Sequence, residues 1–261
     1  VMPEKEELSN KEEKVRLSVQ NITVEKKGEA PVLKDISFEI HAGEVFGIAG
    51  VSGNGQEELC EVICGAVKAN SGTISLDGQE ITDLSIRDRI GKGIGYVPVD
   101  RHRDAMVGDM TLAENMMLKS SYDPKWIHNG LIDRKKLNQY TKQAIESFRI
   151  KAPGPDAEAK GLSGGNQQKV ILAREVDHGE ALLILNQPTR GLDLGAINNI
   201  HTTILEERRR QKSILLVSTE LSEIFKLCDR IAVIYKGSFM GIYRGDELNT
   251  EKIGLLMAGY S

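Results

Sequence analysis

The sequence has no apolar run approaching the roughly twenty residues that a membrane-spanning helix requires. A role at a membrane would therefore come through a partner. The opening residues, Val1-Met-Pro-Glu-Lys-Glu-Glu, lack the basic and apolar segments of a signal peptide. The chain is expected in the cytoplasm, at most peripheral to the inner face of a membrane. Basic excess is also missing: 34 Lys and Arg stand against 38 Asp and Glu, a net charge of −4. A dedicated nucleic-acid binder would carry a basic stripe, so nucleic acid is not an expected partner. There are only three cysteines. Cys60 and Cys64 share a helical face, but a metal site needs two more ligands and His41 is the one candidate nearby in sequence. Buried thiols in a reducing compartment are expected, and no metal.

What remains is a globular composition, 40% hydrophobic and 28% charged, over 261 residues. That length suits one α/β domain with an inserted subdomain. Residues 1–14 are charged and poor in apolar side chains, which reads as a linker or tail. From residue 15 short alternating strands follow, with Leu17, Val19 and Ile22 in one and Ile36, Phe38 and Ile40 in another. The apolar stretch after Glu44 reads as a buried strand, the segment up to Cys64 as a helix that Gly65 stops. Strands are expected at residues 73–76 and 93–97, the first followed by an Asp77-Gly78 turn. Helical periodicity then dominates until Ala152-Pro-Gly-Pro. Beyond it come a helix from about Gln167, a strand at residues 182–185, a helix near residues 197–210 and a strand at 213–218. The run from Glu206 to Lys212 reads as a solvated helix end. Trp126 reads as packing, with contact to a membrane partner the alternative, and His102 beside Arg101 and Arg103 as an exposed loop, with contact to nucleotide or partner the alternative. The order predicts a parallel nucleotide-binding core interrupted by a helical subdomain at about residues 105–165, within one domain spanning 15–261.

Between that buried strand and helix lies Gly50-Val-Ser52-Gly53-Asn54-Gly55-Gln56-Glu57, with the spacing of a phosphate-binding loop. Such glycines let backbone N–H groups converge on phosphate at a helix start. Gln56 stands where that loop has lysine, and Glu57 where it has the magnesium-binding hydroxyl. Downstream, Leu162-Ser163-Gly164-Gly165-Asn166-Gln167 offers a hydroxyl and two glycine N–H groups at the start of a helix expected near Asn166. These donors make an anion-binding cap.

That string resembles the signature of ATP-binding-cassette domains, and other landmarks fall into register. Leu182-Leu-Ile-Leu-Asn186-Gln187-Pro-Thr resembles the second nucleotide motif with both carboxylates replaced by amides. Arg190-Gly-Leu-Asp193 resembles the interface loop. Val217-Ser218-Thr219-Glu220 resembles the switch segment with Thr219 in place of histidine. Tyr96-Val-Pro-Val99-Asp100-Arg101 resembles the glutamine-loop segment, with Val99 at the glutamine position. The aromatic that stacks on adenine is missing from residues 15–32. The resemblance covers most of residues 15–245. The strings Gly53-Asn-Gly-Gln, Asp100-Arg-His-Arg-Asp and Gly165-Asn-Gln-Gln-Lys169 are similar to the second cassette of sugar and nucleoside importers, nearest the nucleoside branch.

The resemblance implies a P-loop core of RecA-like type with an antiparallel β subdomain and a helical subdomain. It implies ATP as cofactor, with magnesium mainly at a partner's site, and a consensus cassette fused before Val1. Membrane permease subunits, and indirectly a substrate-binding lipoprotein, would complete the transporter. In such a pair each ATP lies between one phosphate loop and the opposite signature. Exchanging lysine for Gln56 and a hydroxyl for Glu57 changes two charges, each worth on the order of 4 kcal/mol at about 4 Å and effective dielectric about 20 before screening. Gln187 cannot accept a proton at neutral pH. The expectation is thus a weak own site at Gly50, Ser52, Gly53, Asn54, Gly55, Gln56, Glu57 and Asn186, inactive at Gln187, Thr219 and Val99. Ser163, Gly164, Gly165, Asn166 and Gln167 would serve the partner's ATP, with Asp193 at the interface. A competent homodimeric ATPase and a soluble cassette protein outside transport are the alternatives.

Overall fold

The computed structural model describes residues 14–25, 30–128 and 131–260, which fall into two compact units. The expected tail, residues 1–14, lies outside the described residues but for Lys14.

The first unit takes in the chain up to Tyr96, His178–Gln187 and everything from His201. It opens with β1 (Val15–Val24), β2 (Leu33–His41), β3 (Val45–Ala49), α1 (Gln56–Cys64), β4 (Ser71–Leu76), β5 (Gln79–Glu80), α2 (Ile86–Gly91) and β6 (Ile94–Val97). One four-stranded sheet has the order β2-β1-β4-β5, and its β1 pairs antiparallel with both β2 and β4. Asp77 and Gly78 both take positive φ, 49° and 74°, which closes the β4–β5 hairpin as the Asp-Gly signal predicts.

The remaining strands of this unit are β9 (Leu182–Asn186), β10 (Ser213–Ser218), β11 (Arg230–Tyr235) and β12 (Ser238–Arg244). They build a six-stranded sheet, β12-β11-β3-β10-β9-β6, in which β11, β3, β10 and β9 run parallel. Strands β3, β9 and β10 are buried at every position. A parallel strand covered on both faces has no polar side, and this is why each reads as a continuous apolar run. Apolar side chains of both sheets and of α1, among them Ile40, Phe46, Leu59, Ile74, Ile184 and Leu215, form one cluster. The Phe38 and Phe46 rings stack at 5.0 Å. Arg89 is buried and donates to the carbonyls of Val62 and Ile63 at 2.7 and 2.8 Å, satisfying the C-terminal end of α1.

The second unit takes in Val97–Asp177 and Pro188–Ile200. It contains α3 (Arg101–Asp104), α4 (Leu112–Met117), the β7 (Ile127–His128) and β8 (Leu131–Ile132) hairpin, α5 (Arg134–Ser147), α6 (Gly164–His178) and the start of α7 (Leu194–Arg209). Trp126 is buried with Ala113, Met117 and Leu137, and its Nε1–H donates to Ser120 Oγ at 2.9 Å. Arg174 on α6 is buried and donates to the carbonyls of Ala105 and Asn115, tying the end of α3 and α4 itself to α6. In chain order α8 (Leu221–Leu227) and α9 (Thr250–Met257) belong to the first unit.

Three expectations are corrected. The signature helix begins at Gly164, not near Asn166, because Gln167 N already donates to Ser163 O at 2.9 Å. The helix expected near 197–210 begins at Leu194, where Asp193 Oδ1 accepts from Ala196 N. The run from Glu206 is not simply solvated. Arg208 is buried and paired with Asp229 at 2.9 Å, and buried Glu207 takes Arg210 and Lys212. His41 Nδ1 lies 3.0 Å from Glu44 and 3.1 Å from Arg230. All three cysteines are free and buried.

Candidate nucleotide site and signature

In the first unit, three neighbouring parallel strands deliver their carboxyl ends to one edge. Ser218 of β10 is paired with Ala49 of β3, and Val217 with Asn186 of β9. Residues following these strands, Gly50, Gln187 and Thr219, are thereby neighbours. Ligands of open α/β sheets bind at such carboxyl ends.

The loop between β3 and α1 demands glycine at two points. A Cβ on Gly50 would come within 2.8 Å of the Ile234 carbonyl oxygen and of Gln56 Nε2, and one on Gly55 within 2.8 Å of the Val32 oxygen. Gly55 also has φ 104°, a conformation side chains disfavour. Inside this loop lies the side chain of Gln56, only 6% exposed. Its Oε1 accepts from Asn54 N at 3.0 Å and its Nε2 donates to Val51 O at 2.9 Å. Asn54 Nδ2 reaches the same Val51 oxygen at 2.7 Å, and Asn54 Oδ1 accepts from Lys236 N at 2.6 Å. The loop is stitched by its own two amides. Glu57 and Glu58 fill the first turn of α1, where negative charge suits the helix dipole but opposes phosphate. Ser52 and Gly53 are exposed.

Asn186 is 2% exposed and hydrogen-bonds to the Tyr96 hydroxyl, whose proton burial holds far more tightly than usual. Gln187 has φ 49°, and its N–H donates to Val217 O at 2.8 Å. Ser218 Oγ accepts from Glu220 N at 3.0 Å, and Thr219 between them is half-buried. At this edge Gln56, Asn186, Gln187 and Thr219 are neutral, and Glu57 beside Gln56 is acidic.

The second unit gathers a different set. Ser163 is exposed just before α6, and its Oγ accepts from Asn166 Nδ2 at 2.9 Å. Asn166 Oδ1 in turn accepts from Lys151 N at 2.9 Å, which fixes the amide. A hydroxyl that accepts from Asn166 keeps its own proton to donate outward. Gln167 is buried and its Nε2 donates to Ala159 O at 3.1 Å. Gly165 faces the methyl of Ala196, 2.9 Å from where its Cβ would be, with Asp193 Oδ2 at 3.5 Å. Backbone N–H groups of Ala196 and Gly195 hold the Asp193 carboxyl below the usual aspartate range. Gly164 faces the Arg101 guanidinium, whose Nη2 lies 2.8 Å from the Cβ position. Val99 is half-buried two residues before Arg101 in this same unit.

The family model of ABC transporters matches residues 33–190, a span that contains the loop, the signature and both amides. The chain belongs to the ABC transporter family. Among curated relatives, this cassette is 41% identical to the nucleoside import ATP-binding protein NupA of Lactococcus lactis subsp. cremoris over 245 residues, 94% of the chain and 48% of that protein. It is 42% identical to the guanosine import ATP-binding protein NupO of Bacillus subtilis, over 93% of the chain and 48% of that protein. The chain thus spans about half the length of these relatives. Among solved structures, an ATP-binding cassette of an ABC transporter superposes with TM-score 0.75 at 23% identity, covering 94% of this chain and 95% of that one. A dimeric cassette bound to ADP and Pi superposes with TM-score 0.75 at 21% identity, covering 87% and 98%. These similarities establish the cassette fold, α/β with mixed sheets.

Two features of the cassette have little or no signal in its sequence. Tyr96 as the partner of Asn186 has none, because the two are brought together only by strand order. Arg101 at the signature is obscured by its setting: His102 and Arg103 beside it are exposed as expected, while Arg101 turns toward Gly164.

Proposed function

We propose that this chain is the second nucleotide-binding domain of an ATP-driven importer of nucleosides, whose own nucleotide site is hydrolytically impaired and whose signature completes the site of a partner cassette. The observation that carries the reading is the contrast between the glycine loop, filled by the Gln56 amide, and the signature, where Ser163 is exposed with a free hydroxyl proton. The residues at the chain's own loop do not fit hydrolytic magnesium-ATP. A neutral amide replaces the lysine, the carboxylates expected beside the metal are Asn186 and Gln187, and Asn186 is already engaged by Tyr96. No hydrolytic step is therefore assigned there. What residues 163–165 supply instead is a fixed set of donors for the γ-phosphate of ATP held by the partner, an electrostatic contribution of the kind phosphoryl transfer relies on.

A consensus cassette preceding Val1 supplies the competent phosphate loop, which accords with relatives about twice as long as this chain. Permease subunits form the pore and a lipoprotein delivers substrate. The chain works at the cytoplasmic face, and none of its described helices is long and apolar enough to cross a membrane. The nucleoside assignment follows the import names of the two relatives above; sugar import is the second reading, favoured by 37% identity to the ribose import ATP-binding protein RbsA of Lacticaseibacillus paracasei. The test is the reconstituted transporter carrying either Ser163→Arg or Gln187→Ala. Ser163→Arg abolishes ATPase and uptake, while Gln187→Ala retains most of both. Equal losses would sink the asymmetric reading, and uptake of labelled guanosine against ribose separates the two substrates.

A further inference from the structure

We propose that Arg101 is a further phosphate-contacting residue of the signature, its guanidinium stabilising the γ-phosphate of the nucleotide that the partner cassette holds. This rests on the reading that the signature serves a partner's site. Arg101 is fixed by its backbone. Asp100 caps the short helix α3 through Oδ1, which accepts from His102 N at 3.0 Å and Arg103 N at 3.1 Å. The Arg101 carbonyl accepts from Met106 N at 2.8 Å. From that base the side chain lies over Gly164, with Nη2 at 2.8 Å and Cζ at 3.4 Å from the Cβ position. The approach is possible only because residue 164 has no side chain.

No ion pair holds this guanidinium among the described residues. Arg101 makes no side-chain hydrogen bond or ion pair with any described residue, and its Nε is buried without a partner. Nearby acids are used elsewhere: Asp100 on its cap, Asp104 by Arg103, and Asp193 Oδ1 by Ala196. The guanidinium also lies at the N-terminal end of α6, where the helix dipole already presents positive charge. A cation there is unfavourable until an anion arrives, and then both favour it. Such an anion is the phosphate of ATP. As water oxygen bonds to the γ-phosphorus and the bond to the β,γ-bridging oxygen breaks, ADP departs with the electron pair and the water proton passes to the partner's base. Arg101 neither gives nor takes a proton; it offsets charge on the transferring oxygens, as arginines do in other phosphoryl transfers.

The experiment measures steady-state ATPase in the complete transporter. Arg101→Ala lowers kcat by roughly ten- to a hundredfold, while KM for ATP, set mainly by the partner's loop, moves less than about threefold. Arg101→Lys recovers part of the loss, and millimolar guanidinium ion partly rescues Arg101→Ala but not Ser163→Arg. Arg103→Ala, the same charge change two residues on, stays within about twofold. Arg101→Ala at wild-type kcat would overturn the proposal, as would a loss that neither lysine nor guanidinium relieves. With Ser163→Arg inactive in that case, the signature reading survives and only Arg101 falls. With Ser163→Arg fully active, both fall.

Discussion

Two glycine-rich junctions lead into helices in this chain, and they differ in what fills them. At residues 50–57 the loop closes on itself, because Gln56 and Asn54 take up the Asn54 N–H and share the Val51 carbonyl. At residues 163–166 the Asn166 amide donates to the Ser163 hydroxyl, and the Arg101 guanidinium lies alongside Gly164 with no ion-pair partner among the described residues. Glycine makes both turns feasible, but it does not decide which one receives an anion. The side chains next to the glycines decide. A phosphate entering the first loop must displace hydrogen bonds worth about 1 kcal/mol each, against nearby carboxylates. At the second, the Ser163 hydroxyl keeps its proton to donate and Arg101 has no ion-pair partner among the described residues.

The sharpest way to break this comparison is an acidic group at the open junction. Gly164→Asp places a carboxylate against Arg101 and in the path of the phosphate. It should lower transporter ATPase by about a hundredfold or more, with the chain still folded by circular dichroism, since the displaced group is the mobile end of Arg101. Activity within a few fold of wild type would place the working anion elsewhere.

A second test stays within the closed junction and reads stability. Gly55→Ala drives a Cβ to 2.8 Å from a backbone oxygen at φ 104°, and should cost about 2–4 kcal/mol in urea unfolding. Gly53→Ala also has positive φ, 88°, but meets nothing within 4 Å, and should cost only about 1 kcal/mol. If the two cost the same, backbone strain alone sets the loop, and the close packing around Gly55 is unimportant.

Much of the framework behind these tests is legible in the sequence, because its signals are local. Continuous apolar runs give β3, β9 and β10, Asp77-Gly78 gives its hairpin, and glycine spacing marks both junctions. Apolar periodicity puts the helix starts at Gly164 and Leu194 two to three residues late, as each depends on backbone donors that reach back to Ser163 and Asp193. What sequence does not disclose are pairings made by topology: Tyr96 with Asn186, Arg101 with Gly164, Arg208 with Asp229. The last of these turns an apparent charge run into a buried pair. Gln56 reads in the sequence as a lysine lost. In the fold it is an amide gained, because its two ends match one N–H and one carbonyl of its own loop.

That distinction has a measurable consequence. Gln56→Ala leaves Asn54 N without its acceptor and should destabilise the chain by about 1–2 kcal/mol. If the amide is a plug, ATP affinity at this site holds or rises once it is removed. If it is a ligand, affinity falls. Calorimetry with magnesium-free ATP distinguishes the two.

The smallest expected effect lies beside the signature. Asp193 starts α7 by accepting from Ala196 N, and these backbone bonds hold its carboxyl below the ordinary aspartate range. A group depressed in the folded chain adds stability that is complete above its unfolded value, about 3.9, and is lost as pH falls through the lower folded value. The asparagine introduced by Asp193→Asn can still accept from Ala196 N but cannot titrate. The variant should therefore melt slightly below wild type at pH 7, and the gap should close as the solution is acidified below the unfolded aspartate value. Because Asp193 is exposed, solvent screening keeps that gap small. A gap that persists unchanged at low pH would mean the substitution acts through shape at Gly165 rather than through charge, since only the charge is removed by acid.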